Sequence, residues 1–424
     1  MSPQINVEVH HLTRIEGHGD ILVRVKDGKL EEARWDVVET PRFFEVILIG
    51  KEYSLVPSIV ARICGICSIS HCLTGLRATE KTFGLQIPET AAKLRLLAKH
   101  GETLQSHVLH LVFLALPDFL GLPSSIPLFK SRPDLTAVAV RLKGLANRLC
   151  DAVAGRTTHP IAFRVGGVGV MPDSENLQTI RSELEASLDD LATVVDLFKG
   201  FEIPDFVRET EFLSLKGEEG YLFIGGRLIS TDGVEFAVDD YLEMTSERVD
   251  VNNTSKWTRL SRDSYAVGAL ARFNNNYEFL HPEARRVAAD MRFEPVCHNP
   301  FMYNVAQLVE CIHCTHEAMR LIDELTTTPP TKLAVPVEPK AGRGVAAVEA
   351  PRGILFHDFT YDDGGRVAHA NCVVPTTQNN ANIHHDLQSL VKCLVKLGSS
   401  DEELERTCSM LVRSYDPCLS CSVH

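Results

Sequence analysis

No apolar run in this chain reaches the roughly 18 residues needed to cross a bilayer. The most apolar stretch, Val108–Leu116, is short and contains His110, so it reads as a buried helix. An excess of basic residues is also missing. The 43 Lys and Arg face 56 Asp and Glu, a formal net charge of −13. That balance disfavours nucleic acid and anionic membrane surfaces as partners. The N-terminal region lacks a basic segment followed by an apolar one, so no signal peptide is read and the cytoplasm is the expected compartment. Internal repeats and low-complexity linkers are absent. We therefore expect a single domain over residues 1–424, with the Pro/Lys-rich stretch 326–343 as its expected internal loop. No GxGxxG lies between a strand and a helix, which removes a nicotinamide site from this chain.

Cysteine, by contrast, is plentiful: the chain has 12. Two CxxC pairs stand at opposite ends, in Arg62-Ile-Cys64-Gly-Ile-Cys67-Ser-Ile-Ser-His71 and in Asp416-Pro-Cys418-Leu-Ser-Cys421-Ser-Val-His424. Two intervening residues let both thiolates of a pair reach one metal from a tight turn. Four thiolates suit zinc, iron or nickel, and from the cysteines alone a tetrahedral zinc site is favoured. Against zinc, a structural knuckle staples a small module, whereas this site joins distant parts of the chain. Each pair is also followed by a histidine, His71 or His424, placed as a donor to a cysteine sulfur.

Between the pairs the pattern is mainly helical. Ile21–Val25 and Leu30–Val38 flank Asp27-Gly28, a type I′ hairpin signal. Apolar spacing predicts helices over Thr90–Leu116, ended by Pro117, over Leu135–Val153, and over Ser174–Phe198 with Ser174 as N-cap. Further helices are expected over Asn299–Leu325, Asn382–Leu397 and Asp401–Tyr415. Phe223–Val238 reads as extended with a turn at Asp232-Gly233, and Val345–Val374 as strands with a turn at Asp362–Gly365. The expected class is α+β, mainly helical, with β-regions near both chain ends.

RxCGxCxxxH with DPCxxCxxH resembles the paired signature of [NiFe]-hydrogenase large subunits. Five further blocks follow in order: His11-Leu-Thr-Arg-Ile-Glu16-Gly-His18, Pro41-Arg-Phe-Phe-Glu45, Gly155-Arg-Thr-Thr-His159-Pro160, Glu349-Ala-Pro351-Arg352-Gly353 and Pro375-Thr376-Thr377-Gln-Asn379. The wording of the PRFFE and C-terminal blocks is most similar to the cytoplasmic group coupled to NAD(P) or other soluble carriers.

The resemblance implies a Ni–Fe(CN)2(CO) centre and reversible heterolytic cleavage of H2. Cys64 and Cys418 would bind nickel alone, and Cys67 and Cys421 both nickel and iron. Cys418 would take the proton and Glu16 relay it. Arg352 would serve a cyanide ligand as a permanently charged fork, with Asp118 and Asp416 lining the site beside it. Thr376 would donate to the other cyanide, and Pro351 would shape the pocket. Glu45 and His424 would hold Mg2+ or a similar divalent ion. The ending at His424 resembles the matured form of the family. After these assignments no cysteine set remains for an iron–sulfur cluster in this chain. An iron–sulfur small subunit is thus the implied partner, with further nicotinamide/flavin- or ferredoxin-linked subunits. A hydrogen sensor with little turnover and a structural four-cysteine zinc protein are the alternatives. A related quinone-reductase branch lacks the four cysteines.

The remaining metal-like residues are expected to be structural. The tract Glu310-Cys311-Ile-His313-Cys314-Thr-His316-Glu317 is read as core cysteines and solvated histidines. Cys72, Cys150, Cys297, Cys372, Cys393 and Cys408 are read as small core residues. His384-His385 is placed on a helix surface, and His107 and His110 are satisfied core histidines.

Overall fold

The computed structural model describes residues 5–327 and 332–424. Its centre is a packed set of long helices, Glu89–Val108, Pro133–Ala154, Ser174–Lys199 and Tyr303–Thr327. Each buries an apolar stripe. For Pro133–Ala154 the buried positions Leu135, Val138, Leu142, Leu145, Leu149 and Val153 recur at three- and four-residue spacing, as the sequence predicts.

An antiparallel sheet of Ile5–Val9, Gly19–Lys26 and Lys29–Val37 lies at the N-terminal end. Asp27 and Gly28 turn its hairpin with φ of 50° and 71°, the positive pair that a type I′ turn requires. A second antiparallel sheet, Gly342–Ala350, Gly353–Tyr361 and Val367–Val373, precedes the last two long helices. A four-stranded sheet built on Glu211–Lys216 lies between them in the chain. Only its strands Arg227–Ser230 and Glu235–Phe236 fall within the segment expected to be extended. The expected loop 326–343 falls partly outside the described residues.

Several boundaries differ from expectation for physical reasons. Asp173, not Ser174, caps the Ser174–Lys199 helix by accepting from the Asn176 N–H at 2.9 Å. Pro117 does not end its helix. Residues Leu109–Ala115 adopt π-helical register, and Pro117 enters the next turn, Leu116–Phe119, near its start. The wider register removes the demand for a Pro N–H. The helix expected from Asn382 begins at Pro375, where proline at the first position loses no hydrogen bond.

Several helices had no expectation, among them Ser68–Phe83, Ala269–Asn276 and Pro282–Asp290. Ser68–Phe83 is buried on almost every face, so its sequence carries no polar stripe to mark a period. It runs across the second sheet, so closely that a Cβ on Gly344 would overlap the Ala78 carbonyl and the Thr82 hydroxyl. This contact seats the sheet on the helix that starts at Cys67. Gly344→Ala should therefore destabilise the protein by about 1–3 kcal/mol through overpacking. A chemical-denaturation midpoint matching the parent protein would contradict the tight seating.

Candidate active site

Cys64 follows the turn Ala61–Ile63 in extended conformation, and Cys67 sits at the N-terminus of the Ser68–Phe83 helix. Cys67 N–H donates to the Cys64 sulfur at 3.1 Å. Cys418 heads the short helix Leu419–Ser422, and its N–H donates to Thr376 Oγ1 at 3.0 Å. The fold brings the two pairs together. Cys64 and Cys418 Sγ are 3.7 Å apart, and the sulfurs of Cys64, Cys67 and Cys421 all lie within 4.8 Å of one another. The Cys418 and Cys421 sulfurs are in direct contact as a bonded pair. A bonded pair and two metal-bound thiolates are alternative states of the same sulfurs. All four cysteines are at most 5% exposed.

Charge is finely placed here. Burial pushes the Cys64 thiol up, but the hydrogen bond from Cys67 and the nearby Arg352 charge outweigh it and bring it below the usual thiol range. Donation to Cys64 holds the Cys67 thiol well above that range, and burial adds to this. Arg352 donates from Nε to the Asp416 carbonyl at 2.6 Å and from one terminal nitrogen to Asp416 Oδ1 at 2.9 Å. Burial alone would lower its affinity for its proton, yet Asp416 and the two cysteines raise it overall. Its other terminal nitrogen, NH1, is buried with no partner among the described residues.

Glu16 pairs its backbone with the C-terminal segment, accepting from Leu419 N–H at 2.9 Å. Its carboxylate accepts from Ser420 N–H at 3.0 Å and from the Ser420 hydroxyl. A Glu16 oxygen and the sulfurs of Cys418 and Cys421 lie within 4.8 Å of one another.

A second cluster lies at the chain end. His424, with a side chain 8% exposed, has Nε2 3.7 Å from Glu45 Oε1. Its Nδ1 and Nε2 each lie 2.8 Å from a backbone carbonyl oxygen, of Cys421 and Cys372 respectively. Neutral imidazole has one N–H. One of those contacts is therefore unfavourable without a second ring proton or a cation beside Nε2. The donor set Glu45, Cys372 carbonyl and His424 fits such a cation. Sequence reasoning missed the Cys372 contribution, because a backbone carbonyl leaves no mark on residue type.

Other expected residues are placed differently. His71 forms no hydrogen bond to a cysteine sulfur among the described residues: its Nδ1 lies 3.3 Å from His357 Nε2, and burial holds it well below the usual histidine range. Nor does either ring nitrogen of His424 face a sulfur. Asp118 does not pair with Arg352. It accepts from Arg14 and, at 2.8 Å, from Arg413. His110 is satisfied in the core, by Gln307 at 2.6 Å and the Arg413 carbonyl at 2.7 Å. His107 is also buried and meets Glu310 at 2.7 Å, but its Nδ1 has no partner among the described residues, so it is only half satisfied. In the Glu310–Glu317 tract Cys311 and Cys314 are core residues as expected, but His313 is buried rather than solvated, and His316 is half-buried. Its ring stacks on His281, with centroids 3.8 Å apart. His384 and His385 are half-buried against Trp257 rather than on a helix surface. Cys393 is exposed and Cys297 intermediate; neither is a core residue.

The arrangement offers four clustered cysteine sulfurs, a buried guanidinium nitrogen with no acceptor among the described residues, and a carboxylate beside two of the sulfurs. A family profile described as nickel-dependent hydrogenase matches residues 42–128 and 244–424. The chain belongs to the nickel-dependent hydrogenase family. A HoxL-like profile also matches residues 6–40. Sulfhydrogenase 2 subunit alpha of Pyrococcus furiosus is 31% identical over 99% of this chain and 98% of its own. NAD-reducing hydrogenase HoxS subunit beta of Cupriavidus necator is 30% identical over 97% and 93%. An NAD+-reducing [NiFe]-hydrogenase in the H2-reduced state superposes with a TM-score of 0.89, 28% identity and 99% coverage of both chains. The chain is thus the catalytic large subunit of an oxidoreductase acting on H2, with a nickel–iron active site. No helix among the described residues is long and apolar enough to cross a membrane.

The Asp118 pairing yields a separate test. Asp118 and its two arginines are nearly buried, with side chains 4%, 12% and 7% exposed for Asp118, Arg14 and Arg413. Asp118→Asn leaves two guanidiniums without their shared counter-charge and should cost about 3–5 kcal/mol of stability. A loss below about 1 kcal/mol in denaturant titration would show that the pairing is not structural.

Proposed function

We propose that Cys64, Cys67, Cys418 and Cys421 hold the nickel and iron, with Cys64 and Cys418 on nickel alone and Cys67 and Cys421 on both metals. The observation that carries this reading is the buried sulfur cluster formed by both pairs, with the Arg352 charge acting on Cys64 and Cys67 and its NH1 without a partner among the described residues. When bound, the metals supply the Lewis acidity and electron reservoir for splitting H2; the iron would carry CO and cyanide ligands. Arg352 NH1 is suited to donate to an anionic cyanide. Asp416 fixes the guanidinium plane, and Pro351 fills the pocket beside it. Thr376, which already accepts from Cys418 N–H, keeps a hydroxyl proton for the other cyanide. His71 helps fill the region behind Cys67, and Asp118 anchors Arg14 and Arg413 nearby.

Proton movement follows from the same geometry. The Cys418 sulfur takes the proton released from H2, and the Glu16 carboxylate receives it. The 4.8 Å limit on their separation supports a direct or single-water transfer. Ser420 orients the carboxylate by two hydrogen bonds. Glu45, the Cys372 carbonyl and His424 would hold Mg2+ or a similar ion.

Electrons would leave to the clusters of an iron–sulfur small subunit. Further subunits linked to nicotinamide/flavin or ferredoxin, a cytoplasmic site and a single domain over residues 1–424 complete the proposal. Similarity to sulfhydrogenase and NAD-reducing subunits supports the soluble-carrier reading.

The purified complex should contain nickel and iron and show the infrared bands of metal-bound CO and cyanide. Zinc alone in active-form material would refute the metal assignment. Turnover with a dye acceptor separates an enzyme from a sensor. Glu16→Gln keeps the side-chain shape but cannot cycle a proton. It should retain both metals while suppressing H2/D+ exchange, and unchanged exchange would exclude the relay. Arg352→Lys keeps the charge but loses the planar fork. Turnover should fall on the order of 10²-fold, as for loss of one preorganised donor. Near-parental turnover would reduce Arg352 to a structural ion pair.

A further inference from the structure

Arg352 sits in an unusual turn. Strands Gly342–Ala350 and Gly353–Tyr361 pair up to Ala350 and Gly353, leaving Pro351 and Arg352 as a two-residue connection. Two-residue turns that match the twist of a hairpin need positive φ at the first or both central positions. Proline cannot supply it, and neither Pro351 nor Arg352 has positive φ. The turn is therefore not held by its own geometry and needs support from outside the hairpin.

Arg272, in the helix Ala269–Asn276, provides that support. Its side chain is 0% exposed. From its terminal nitrogens it donates to the Ala350 carbonyl at 3.0 Å and to the Pro351 carbonyl at 2.9 Å. The rest of the fork is anchored as firmly. Glu310 accepts at 2.6 Å and 2.7 Å, and Glu349 at 2.9 Å. All five guanidinium N–H groups are thus engaged. Glu310 is itself fixed by Tyr221 and His107.

The base of the helix meets the same turn independently. A Cβ on Gly268 would lie 2.9 Å from the Arg352 carbonyl oxygen, so only glycine permits this approach. Val267, just before it, is held by Tyr303 Oη on its carbonyl at 2.8 Å and by Asn379 on its N–H at 2.8 Å.

We propose that Arg272 is a positioning residue for H2 cleavage: its buried fork fixes the Pro351–Arg352 turn so that the unpartnered Arg352 nitrogen faces the four-cysteine site. This rests on the reading of that site given above. Arg272 touches neither sulfur nor metal and acts through Arg352 alone. Lysine cannot replace it, because an ammonium on a flexible stem does not span two carbonyls and two carboxylates in one plane.

The test uses the purified holoenzyme complex of the parent, Arg272→Lys, Arg352→Lys and the double variant. Nickel and iron content, the CO and cyanide infrared bands, and dye-linked H2 oxidation are measured on each. Arg272→Lys should keep both metals, lower turnover on the order of 10-fold to 10²-fold as expected for a small misplacement, and shift the CO and cyanide bands. The double variant should be no slower than Arg352→Lys alone, because both changes remove the same interaction. Unmoved bands, or losses that multiply in the double variant, overturn the proposal. If Arg272→Lys does not accumulate, Glu310→Gln, which weakens the anchor but leaves an acceptor, is judged by the same bands and the same cycle. If neither variant accumulates with metals, Arg272 is a core ion pair and the proposal falls. A parent enzyme without CO and cyanide bands removes the site reading and this inference together. Bands that are present but unmoved remove only the inference.

Discussion

Anionic sulfur buried away from water requires positive charge within reach. Part of that charge, beside any bound metal, is the Arg352 guanidinium, at the tip of a hairpin and locked to both the carbonyl and carboxylate of Asp416. Much of the structure follows from keeping it there. The hairpin must be seated, and its first strand lies against the Ser68–Phe83 helix with no room for a side chain at Gly344. That helix begins at Cys67, so the seat of the arginine and the origin of one sulfur belong to one packed unit. Asp416, the arginine's partner, lies two residues before Cys418. The compensating charge and the sulfurs it serves are thus fixed to each other from both sides.

The C-terminal segment enters this unit through backbone pairing rather than through a domain interface. Glu16 accepts from Leu419, and Arg42 N–H donates to Val423 O at 2.9 Å. The Arg42 side chain ties Ile63 to Ser420 by bonding both carbonyls, at 2.6 Å and 2.5 Å. Arg14, Phe43, His159 and Asp416 all have positive φ, between 51° and 62°. Each lies in one of the sequence blocks that carry the family signature. Such strain persists only where the surroundings over-determine it. At Asp416 its benefit is direct: the left-handed turn presents carbonyl and carboxylate together to one guanidinium.

This contrast explains what could be read from residues alone. Both CxxC pairs, Glu16, Glu45 and Arg352 were legible because their chemistry is local and their neighbours specific. Amphipathic helices such as Pro133–Ala154 were legible from spacing. Ser68–Phe83 was not, because burial on all sides erases the polar stripe. The π-helical passage into Pro117 was hidden because proline usually stops a helix. Arg272 was invisible for another reason: its partners Glu310 and Glu349 lie 38 and 77 residues away. Only the fold joins them. The contact of His71 Nδ1 with His357 was invisible for the same reason, since the two are 286 residues apart.

The same short stretch of chain links the sulfur cluster to the second cluster at His424. Cys372 N–H donates to Glu45 Oε1 at 2.7 Å, and its carbonyl faces His424 Nε2. Four residues later Thr376 Oγ1 accepts the Cys418 N–H, and Thr377 donates to the Ser422 carbonyl at 3.2 Å. Residues 372–377 therefore hold the C-terminal segment at three points, one at each end of the Leu419–Ser422 turn and one at His424. Two of the contacts are hydroxyl–backbone hydrogen bonds and the third sets the His424 ring against a backbone carbonyl. All lie in buried or part-buried surroundings, where leaving a partner unmet costs about 1–3 kcal/mol. A displacement at His424 cannot be absorbed locally without breaking one of them. Residues 418–424 are thus braced along their length by one short segment, so the positions of His424 and Cys418 are coupled through it.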